Sequence, residues 1–200
     1  IGGKDKCELC NQEEYKDSQG NPKNINAVKT CSAYRCKSLG ASCKLINEGF
    51  SNIACTSTNP TDVNSPLISP DFDILTSQNY TIQDNGANGY TITSTIPAFQ
   101  NIIMAIKTDE FAQCRYTTNS NLSTYDEMVN SFYGPSQWFK EHNMTLSHVE
   151  PGKQHTYYVR CTDLNNNYNI AHYIIQFSIE QAPDLTPPII DLSNIPNNAY

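Results

Sequence analysis

The chain lacks long hydrophobic runs and has few charged residues. Asp, Glu, Lys and Arg make up 16% of its 200 residues, and no window approaches the roughly 18 consecutive apolar residues that a membrane helix requires. The sequence therefore predicts no membrane span. The first residues, Ile1-Gly-Gly-Lys4, also lack the charged and apolar regions of a signal peptide, so Ile1 is expected to be the start of a mature or trimmed chain.

Positive charge is scarce as well. The chain has 13 Lys and Arg against 20 Asp and Glu, which gives a formal net charge of -7 at pH 7. A chain with this charge and no basic stripe would repel a phosphate backbone. Nucleic acid is therefore not an expected partner.

Catalytic motifs are also missing. The sequence contains no HExxH and no Gly-x-Ser-x-Gly pattern, and no pair of its histidines has helical ligand spacing. We therefore expect no enzyme activity, no metal centre and no cofactor. Two alternatives stay open: calcium held by Asp71-Phe-Asp73 or Asp84-Asn-Gly86, whose oxygens otherwise cap turns, and a metal shared by His148 and His155 across a hairpin.

Cysteine, by contrast, is plentiful. Six of the eight cysteines lie within residues 7–55, among few large aliphatic side chains. Such a segment cannot bury enough apolar surface to offset about 1–2 kcal/mol of backbone entropy per residue, so three disulfides are expected to replace a core. Their pairing is not fixed by the sequence. An oxidising compartment follows, and the six residues are Cys7, Cys10, Cys31, Cys36, Cys43 and Cys55.

The Cys7-Glu-Leu-Cys10 motif has two other interpretations. Thioredoxin chemistry needs a strand before the motif, and a zinc site needs a second close pair at matching spacing. Neither feature accompanies these residues. A disulfide-bonded role is therefore favoured over redox activity or zinc binding.

From Asp62 onward the pattern changes to short alternating segments separated by Asn, Gly, Asp and Pro. About seven strands in a segment of this length are typical of a β-sandwich. Helices are expected at 27–39 and 123–132. The expected strands are 74–75, 80–82, 90–96, 102–106, 112–116, 144–148, 156–161 and 172–179.

Two cysteines and one tryptophan stand out in this region. Cys114 and Cys161 lie in strands whose same-face neighbours are apolar or aromatic, so a disulfide joining the two strands is expected. Trp138 is the only tryptophan. Core packing is its expected role, and a sugar-stacking platform or interface anchor is the alternative.

Three sequons are present, and each is a glycan acceptor if the host has the machinery. They are Asn79-Tyr-Thr81, Asn121-Leu-Ser123 and Asn143-Met-Thr145.

A short pattern occurs twice in the chain. Asp62-Val-Asn-Ser-Pro66-Leu-Ile68 and Asp184-Leu-Thr-Pro-Pro188-Ile-Ile190 share Asp, an aliphatic residue, two residues, Pro, an aliphatic residue and Ile. The spacing predicts a complete domain between them and the first strand of another unit afterwards. The expected division is a disulfide-rich head (residues 1–61), a β-sandwich (62–183) and a tail (184–200).

The tail is a linker into the next unit or a donor strand for a neighbour. Addition of a strand would satisfy backbone hydrogen bonds at an open sheet edge and would give a directional, head-to-tail assembly. The residues expected to dock are Pro188, Ile189, Ile190, Leu192 and Ile195.

Three segments resemble a known family. Thr108-Asp-Glu-Phe-Ala-Gln-Cys-Arg-Tyr116, Tyr157-Tyr-Val-Arg-Cys-Thr-Asp163 and Pro183-Asp-Leu-Thr-Pro-Pro188 look like parts of a fibronectin type III or immunoglobulin-like module. Such modules are repeated in secreted and surface proteins of bacteria and archaea. The head resembles the segment that precedes this module in uncharacterised archaeal surface proteins. At Asn165-Asn-Asn167 the sequence departs from the Gly-Asn turn that is more typical of the family.

The resemblance implies an all-β, immunoglobulin/fibronectin III-like β-sandwich with a small disulfide-rich head and an extended C-terminal tail. It also implies extracellular display and no catalytic residues. The leading hypothesis is an extracellular structural module of a surface protein or filament, whose partners are copies of itself or adjacent modules. The alternatives are an adhesin module that binds a glycan or cell surface and a non-catalytic part of a secreted hydrolase.

Overall fold

The computed structural model describes residues 6–11, 15–16, 19, 22–23, 31–133 and 136–183. Within them the protein is rich in β-structure and has a disulfide-rich N-terminal region, which confirms this part of the predicted fold class. No helix in the described ranges is long and apolar enough to cross a membrane. The predicted docking residues of the tail lie outside the described residues; they are Pro188, Ile189, Ile190, Leu192 and Ile195.

The head is assembled from short elements. Helix α1 (Ala33–Ser38) begins after Ser32, whose Oγ accepts a hydrogen bond from the backbone N of Arg35. It covers only the second half of the predicted helix 27–39, and residues 27–30 are outside the described part. The other elements are a 3-10 helix (Cys7–Cys10) and the strands β1 (Tyr15–Lys16), β2 (Pro22–Lys23), β3 (Cys43–Ile46) and β4 (Ala54–Ser57), which pair as β1–β2 and β3–β4.

The buried core of the head consists of cysteines. Leu39 and Leu45 pack at its margin and are only partly buried. Disulfides therefore occupy the place that aliphatic side chains fill in a larger domain. The buried members of the cluster are Cys7, Cys10, Cys36, Cys43 and Cys55.

The second region is one sheet with a short helix. Its strands follow the order β10-β8-β11-β12-β7-β6, and β5 and β9 also pair with β8. All pairs are antiparallel except β12 with β7, which is parallel. The elements are β5 (Ile68–Pro70), α2 (Phe72–Ser77), β6 (Ile82–Asp84), β7 (Gly89–Ile92), β8 (Ile102–Thr117), β9 (Asn130–Ser131), β10 (Phe139–Leu146), β11 (Gln154–Asp163) and β12 (Tyr173–Ser178).

Strand β8 is shared between two sets of partners. Its first half pairs with β10 and β5, whereas its second half pairs with β11 and β9. Between the halves, the Thr108 hydroxyl donates a hydrogen bond to the carbonyl oxygen of Glu110 at 2.8 Å. The first half also contacts β7, because the backbone N of Ala105 donates to the Tyr90 hydroxyl at 3.3 Å. Ala105 and Tyr90 both belong to the apolar core.

Most predicted strands are present, with altered boundaries. The alternation at Tyr90 and Ile92 is confirmed, since both are buried in β7 and Thr91 between them is only partly buried. The two strands predicted at 102–106 and 112–116 are one strand, β8, because backbone pairing continues through residues 106–108 with β5.

The strand predicted at 74–75 is wrong. Ile74 and Leu75 lie in α2, which begins after Asp71 because the Asp71 carboxylate accepts a hydrogen bond from the backbone N of Ile74. Leu75 is completely buried, whereas Phe72 is exposed. Two adjacent aliphatic residues in one turn of an amphipathic helix give the same local pattern as a short apolar strand.

The helix predicted at 123–132 is also wrong. Turns fill this interval, and β9 occupies its last part. The Glu127 carboxylate does accept from the backbone N of Ser123 and of Thr124, as in a helix cap. The Arg115 guanidinium, however, donates to the carbonyl oxygens of Tyr125 and Met128, and these are the acceptors that a continuing helix would use.

Candidate functional site

The richest group of polar contacts lies at one end of the sheet, where β11 ends at Asp163 and β12 begins at Tyr173. We call this the linker end, because residues 59–66, which connect the head to β5, run across it. The opposite end contains Gln154 and Ser178, which pair with each other.

Three asparagines of the β11–β12 loop hold the linker. Their side-chain Nδ2 atoms donate to main-chain carbonyl oxygens: Asn165 to Asn59 at 2.7 Å, Asn167 to Asp62 at 3.0 Å and Asn169 to Pro66 at 2.8 Å. We call Asn165, Asn167 and Asn169 the asparagine clamp. The clamp contacts backbone atoms of the linker, so it fixes the path of the chain with little dependence on the linker side chains.

Asp163 organises the clamp. This side chain is fully buried, and its carboxylate accepts hydrogen bonds from the backbone N of Asn165, the backbone N of Asn167 and the Asn167 Nδ2 at 2.7–2.8 Å. Asn166 adopts the left-handed conformation (φ 65°), which asparagine tolerates better than most residues. Asparagine thus supplies the left-handed residue of this turn without a glycine.

Three carboxylates meet beside the clamp. Oxygens of Asp62, Glu110 and Asp163 lie within 4.8 Å of one another, and Glu110 lies in β8. A set of three carboxylate oxygens at this separation is the ligand type that suits a calcium ion. The cluster has no local signature in the sequence, because its members come from the linker, β8 and β11, far apart in the chain.

The clustering of negative charge affects Glu110 most. Partial burial, together with the negative charges of Asp163, Asp62 and Asp109, raises the pKa of Glu110 to about 7. The neighbouring ammonium of Lys140 acts in the opposite direction. At neutral pH this glutamate is therefore close to half-protonated.

We expect Glu110→Gln to stabilise the protein above pH 7. Because the pKa of Glu110 is raised by folding, the native state keeps a proton that the unfolded chain loses near pH 4.5, so stability falls as pH rises from about 4.5 to 7. Removing the charge should add about 1 kcal/mol at pH 8, a value reduced for solvent screening.

Urea unfolding of both proteins at pH 5 and pH 8 measures this effect. Glu141→Gln, an exposed position on β10, is the matched control and should leave the pH dependence unchanged. An equal gain from Glu110→Gln at both pH values would contradict the charge explanation.

The carboxylate pairs considered for calcium in the sequence have other partners. Asp71 and Asp73 both contact the Lys107 ammonium, at 3.2 and 2.7 Å, and this lysine lowers the pKa of Asp73. Asp84 accepts a hydrogen bond from the backbone N of Gly86 at 2.8 Å, the turn-capping role that was the alternative. Of the predicted pairs, neither coincides with the carboxylate cluster.

An apolar groove of about 200 Å³ adjoins the clamp. Leu67 and Ile170 line it with side chains that are 70% and 90% exposed. On the other side of Ile170 is a cleft of about 330 Å³ that Tyr168 and Arg160 line. Exposed large apolar side chains that share a groove next to a polar cluster mark a contact surface.

The cysteines are all paired in the structure. Cys114 and Cys161 face each other on β8 and β11 and form a disulfide within the sheet. The head contains the pairs Cys7–Cys43, Cys10–Cys31 and Cys36–Cys55. The CxxC residues therefore bond to different partners, and no cysteine is free.

The three sequon asparagines lie at the surface to different degrees. Asn79 and Asn121 are exposed, whereas Asn143 is partly buried on β10. In the described ranges, β10 pairs only with β8, so Asn143 stands on an edge strand. A glycan at this position would cover that edge.

Trp138 marks a second contact between the head and the sheet. Its backbone N donates to the Asn47 Oδ1 at 2.7 Å, and its carbonyl oxygen accepts from the Asn47 Nδ2 at 2.8 Å. The tryptophan is partly buried and Asn47 is 5% exposed. This placement favours a role at the head contact over that of an open sugar platform.

The four histidines have separate surroundings. Two of them bond main-chain oxygens, His155 that of Glu150 and His172 that of Leu122. His148 is exposed, and His142 is buried beside Thr108. Among the described residues, none of the four belongs to a cluster able to hold a metal.

The sequence matches no protein-family model and no curated protein.

Proposed function

We propose that this protein is an extracellular structural module of a surface protein or filament, and that neighbouring units dock head to tail. One observation carries the proposal: the linker from the head and the residues that follow β12 lie at opposite ends of the sheet. The linker crosses the end at Asp163 and Tyr173, where the asparagine clamp holds it. Beyond β12, Ile179 and Glu180 continue the pairing at the far end.

This polarity supports linear assembly. The backbone N of Glu180 donates to the carbonyl oxygen of Ile96, and the backbone N of Ile179 donates to that of Lys153, so the chain is held to the sheet as far as Glu180. An interface between unlike ends of a molecule builds an open chain of units when the rotation between neighbours does not close into a ring.

The sandwich of the immunoglobulin or fibronectin III class is part of the proposal. Its support is the shared strand β8, whose Ala105 bonds the Tyr90 side chain of β7, and the parallel pairing of β7 with β12. The disulfide between Cys114 and Cys161 joins two directly paired strands. In immunoglobulin domains the conserved bridge joins the two sheets instead, so this feature departs from that class.

The covalent chemistry supports an extracellular location. Four disulfides in a chain of this size are typical of oxidising compartments, where glutathione does not keep thiols reduced. In the head they form the buried core itself. In a reducing cytosol these disulfides would be reduced, and the head would lose that core.

Docking by strand addition is disfavoured at the longest open edge. β10 has a bulge at Lys140, exposed charges at Lys140 and Glu141 and a sequon at Asn143. Edge lysines and bulges are features that protect natural sheet edges from further pairing. The linker end is therefore the better receiving surface.

We expect the purified, disulfide-intact chain to form linear assemblies. Electron microscopy at high concentration, with native mass spectrometry without reductant after dilution, measures this. Filaments that release a species of 22.4 kDa would support a polymer of separate subunits. A protein that stays monomeric at every concentration would contradict assembly by this chain alone.

A further inference from the structure

The apolar groove at the linker end needs a partner with apolar side chains. Leu67 and Ile170 line it, and Pro66, Ala87 and Ala171 complete its apolar wall. Val63, close by in the linker, is also 81% exposed. Singly exposed aliphatic residues are ordinary, but several around one groove are typical of a docking surface.

The tail has the matching composition. Residues 189–195 carry Ile189, Ile190, Leu192 and Ile195 with a single charged residue, Asp191. Prolines at 187, 188 and 196 lie on either side of this stretch. Because proline has no backbone N–H to donate within a β-sheet, the composition suits docking by side chains better than pairing as a central strand.

A tail from the same molecule has little slack to reach the groove. Tyr173 lines the groove, whereas Glu180 lies at the far end of the sheet, about 23 Å away at roughly 3.3 Å per residue. A chain from Glu180 to Ile189 spans at most about 30 Å, so it would have to run back along β12 in a largely extended form. Both edges of β12 are already paired with β11 and β7. A neighbouring molecule imposes no such constraint.

The cleft on the other side of Ile170 supplies a charge for Asp191. Arg160 is 7% exposed and lines this cleft; its Nη1 donates to the carbonyl oxygen of Asn169, and its Nε has no hydrogen-bond partner. Burial lowers the pKa of this guanidinium, and the carboxylate of Glu127 acts in the opposite direction. Asp126, the acid that lines the cleft, is 4.0 Å from Arg115.

We propose that the apolar groove receives the tail of a second copy of this chain, with Ile189 and Ile190 against Leu67 and Ile170, and with the Asp191 carboxylate on Arg160. This inference rests on the proposed head-to-tail assembly and names its receiving site. The tail of each unit then reaches the asparagine clamp of the next unit, beside the head of that unit.

Two complementary variants of the full chain test the proposal. Ile170→Glu alters the groove but keeps the tail, and the double variant Ile189→Glu/Ile190→Glu alters the tail but keeps the groove. Each variant alone is expected to be monomeric in sedimentation velocity and native mass spectrometry. Their equimolar mixture is expected to stop at a heterodimer, because only one groove and one tail remain compatible.

Further variants give the magnitude and the control. Losing one central apolar contact is expected to weaken self-association about 30-fold, and Asp191→Asn about tenfold. Val129→Glu is the matched control, since Val129 is 88% exposed and lines neither the groove nor the cleft. It should assemble as the wild type does.

The outcomes separate the site from the assembly. If Ile170→Glu still forms long assemblies, the groove is not the receiving site and head-to-tail docking occurs elsewhere. If the wild type is monomeric throughout, the assembly itself is contradicted. A mixture of the two variants that stays monomeric while the wild type assembles would also overturn the proposed pairing.

Discussion

Replacing Cys114 and Cys161 together with alanine is expected to lower the free energy of unfolding of the sheet by about 4 kcal/mol, the entropic effect of a loop this long. The bond closes a separation of 47 residues between two central strands. Both cysteines are buried, so their loss also leaves unfilled space in the core. No other prediction for the sheet has so large an expected effect.

Hydrogen exchange of β11 and β12, with urea unfolding, measures the loss. The matched control is the head variant Cys36→Ala/Cys55→Ala, which opens a separation of 19 residues. It should cost about 3 kcal/mol by the same relation, with faster exchange in the head only. Unchanged exchange in β11 after loss of the sheet disulfide would contradict the prediction.

Acidification is expected to destabilise the protein through His142. The imidazole is 1% exposed, among the rings of Phe132, Tyr133 and Phe139. Burial lowers the pKa of His142 to about 4 from the ordinary 6.5, with a smaller opposing effect of the Phe139 backbone. Between these pH values the unfolded chain binds a proton at this histidine and the native state does not. The free energy of unfolding therefore falls as the pH drops from about 6.5 to 4, by about 3 kcal/mol in total.

His142→Gln is the informative variant. Glutamine keeps a polar group within reach of the Thr108 hydroxyl, which lies 3.2 Å from the His142 Nε2, and it does not titrate. The stability difference between variant and wild type should shift by about 3 kcal/mol in favour of the variant between pH 7.5 and pH 4. Introducing Glu110→Gln into both proteins removes the opposing contribution of that glutamate. Parallel pH profiles for the two proteins would rule out His142 as the cause.

Local sequence patterns predicted the strands well where burial alternates. The residues Tyr90 and Ile92 point into the core and Thr91 does not, and such alternation is visible in one dimension. The abundance of cysteine in a head with few aliphatic residues likewise predicted a core of disulfides. In both cases the information lies within a few consecutive residues.

The two wrong predictions have different causes. The interval 123–132 contains a capping glutamate, Glu127, but Arg115 on β8 takes two of its carbonyl oxygens, so a distant contact outweighs the local pattern. At residues 74–75 the deciding contact is local, because the cap at Asp71 begins a helix that contains the two adjacent aliphatic residues. Propensity gives way to tertiary hydrogen bonds in the first of these intervals.

The candidate site was largely beyond reach of the sequence. Asp62, Glu110 and Asp163 come from the linker, β8 and β11, and they meet only in the folded chain, where the β11–β12 loop binds the linker. The asparagine triplet stands out in the sequence as an unusual turn, but its hydrogen bonds to main-chain oxygens have no signature in spacing.

The asparagine clamp has a consequence for sequence change over time. Because Asn165, Asn167 and Asn169 bind carbonyl oxygens that every residue type possesses, most substitutions between residues 59 and 66 leave those acceptors in place. The linker can therefore change in sequence, and so change the surface that it presents, while its path across the sheet stays the same. The residues that must be conserved to keep this path are the three asparagines and Asp163, whose buried carboxylate orients them.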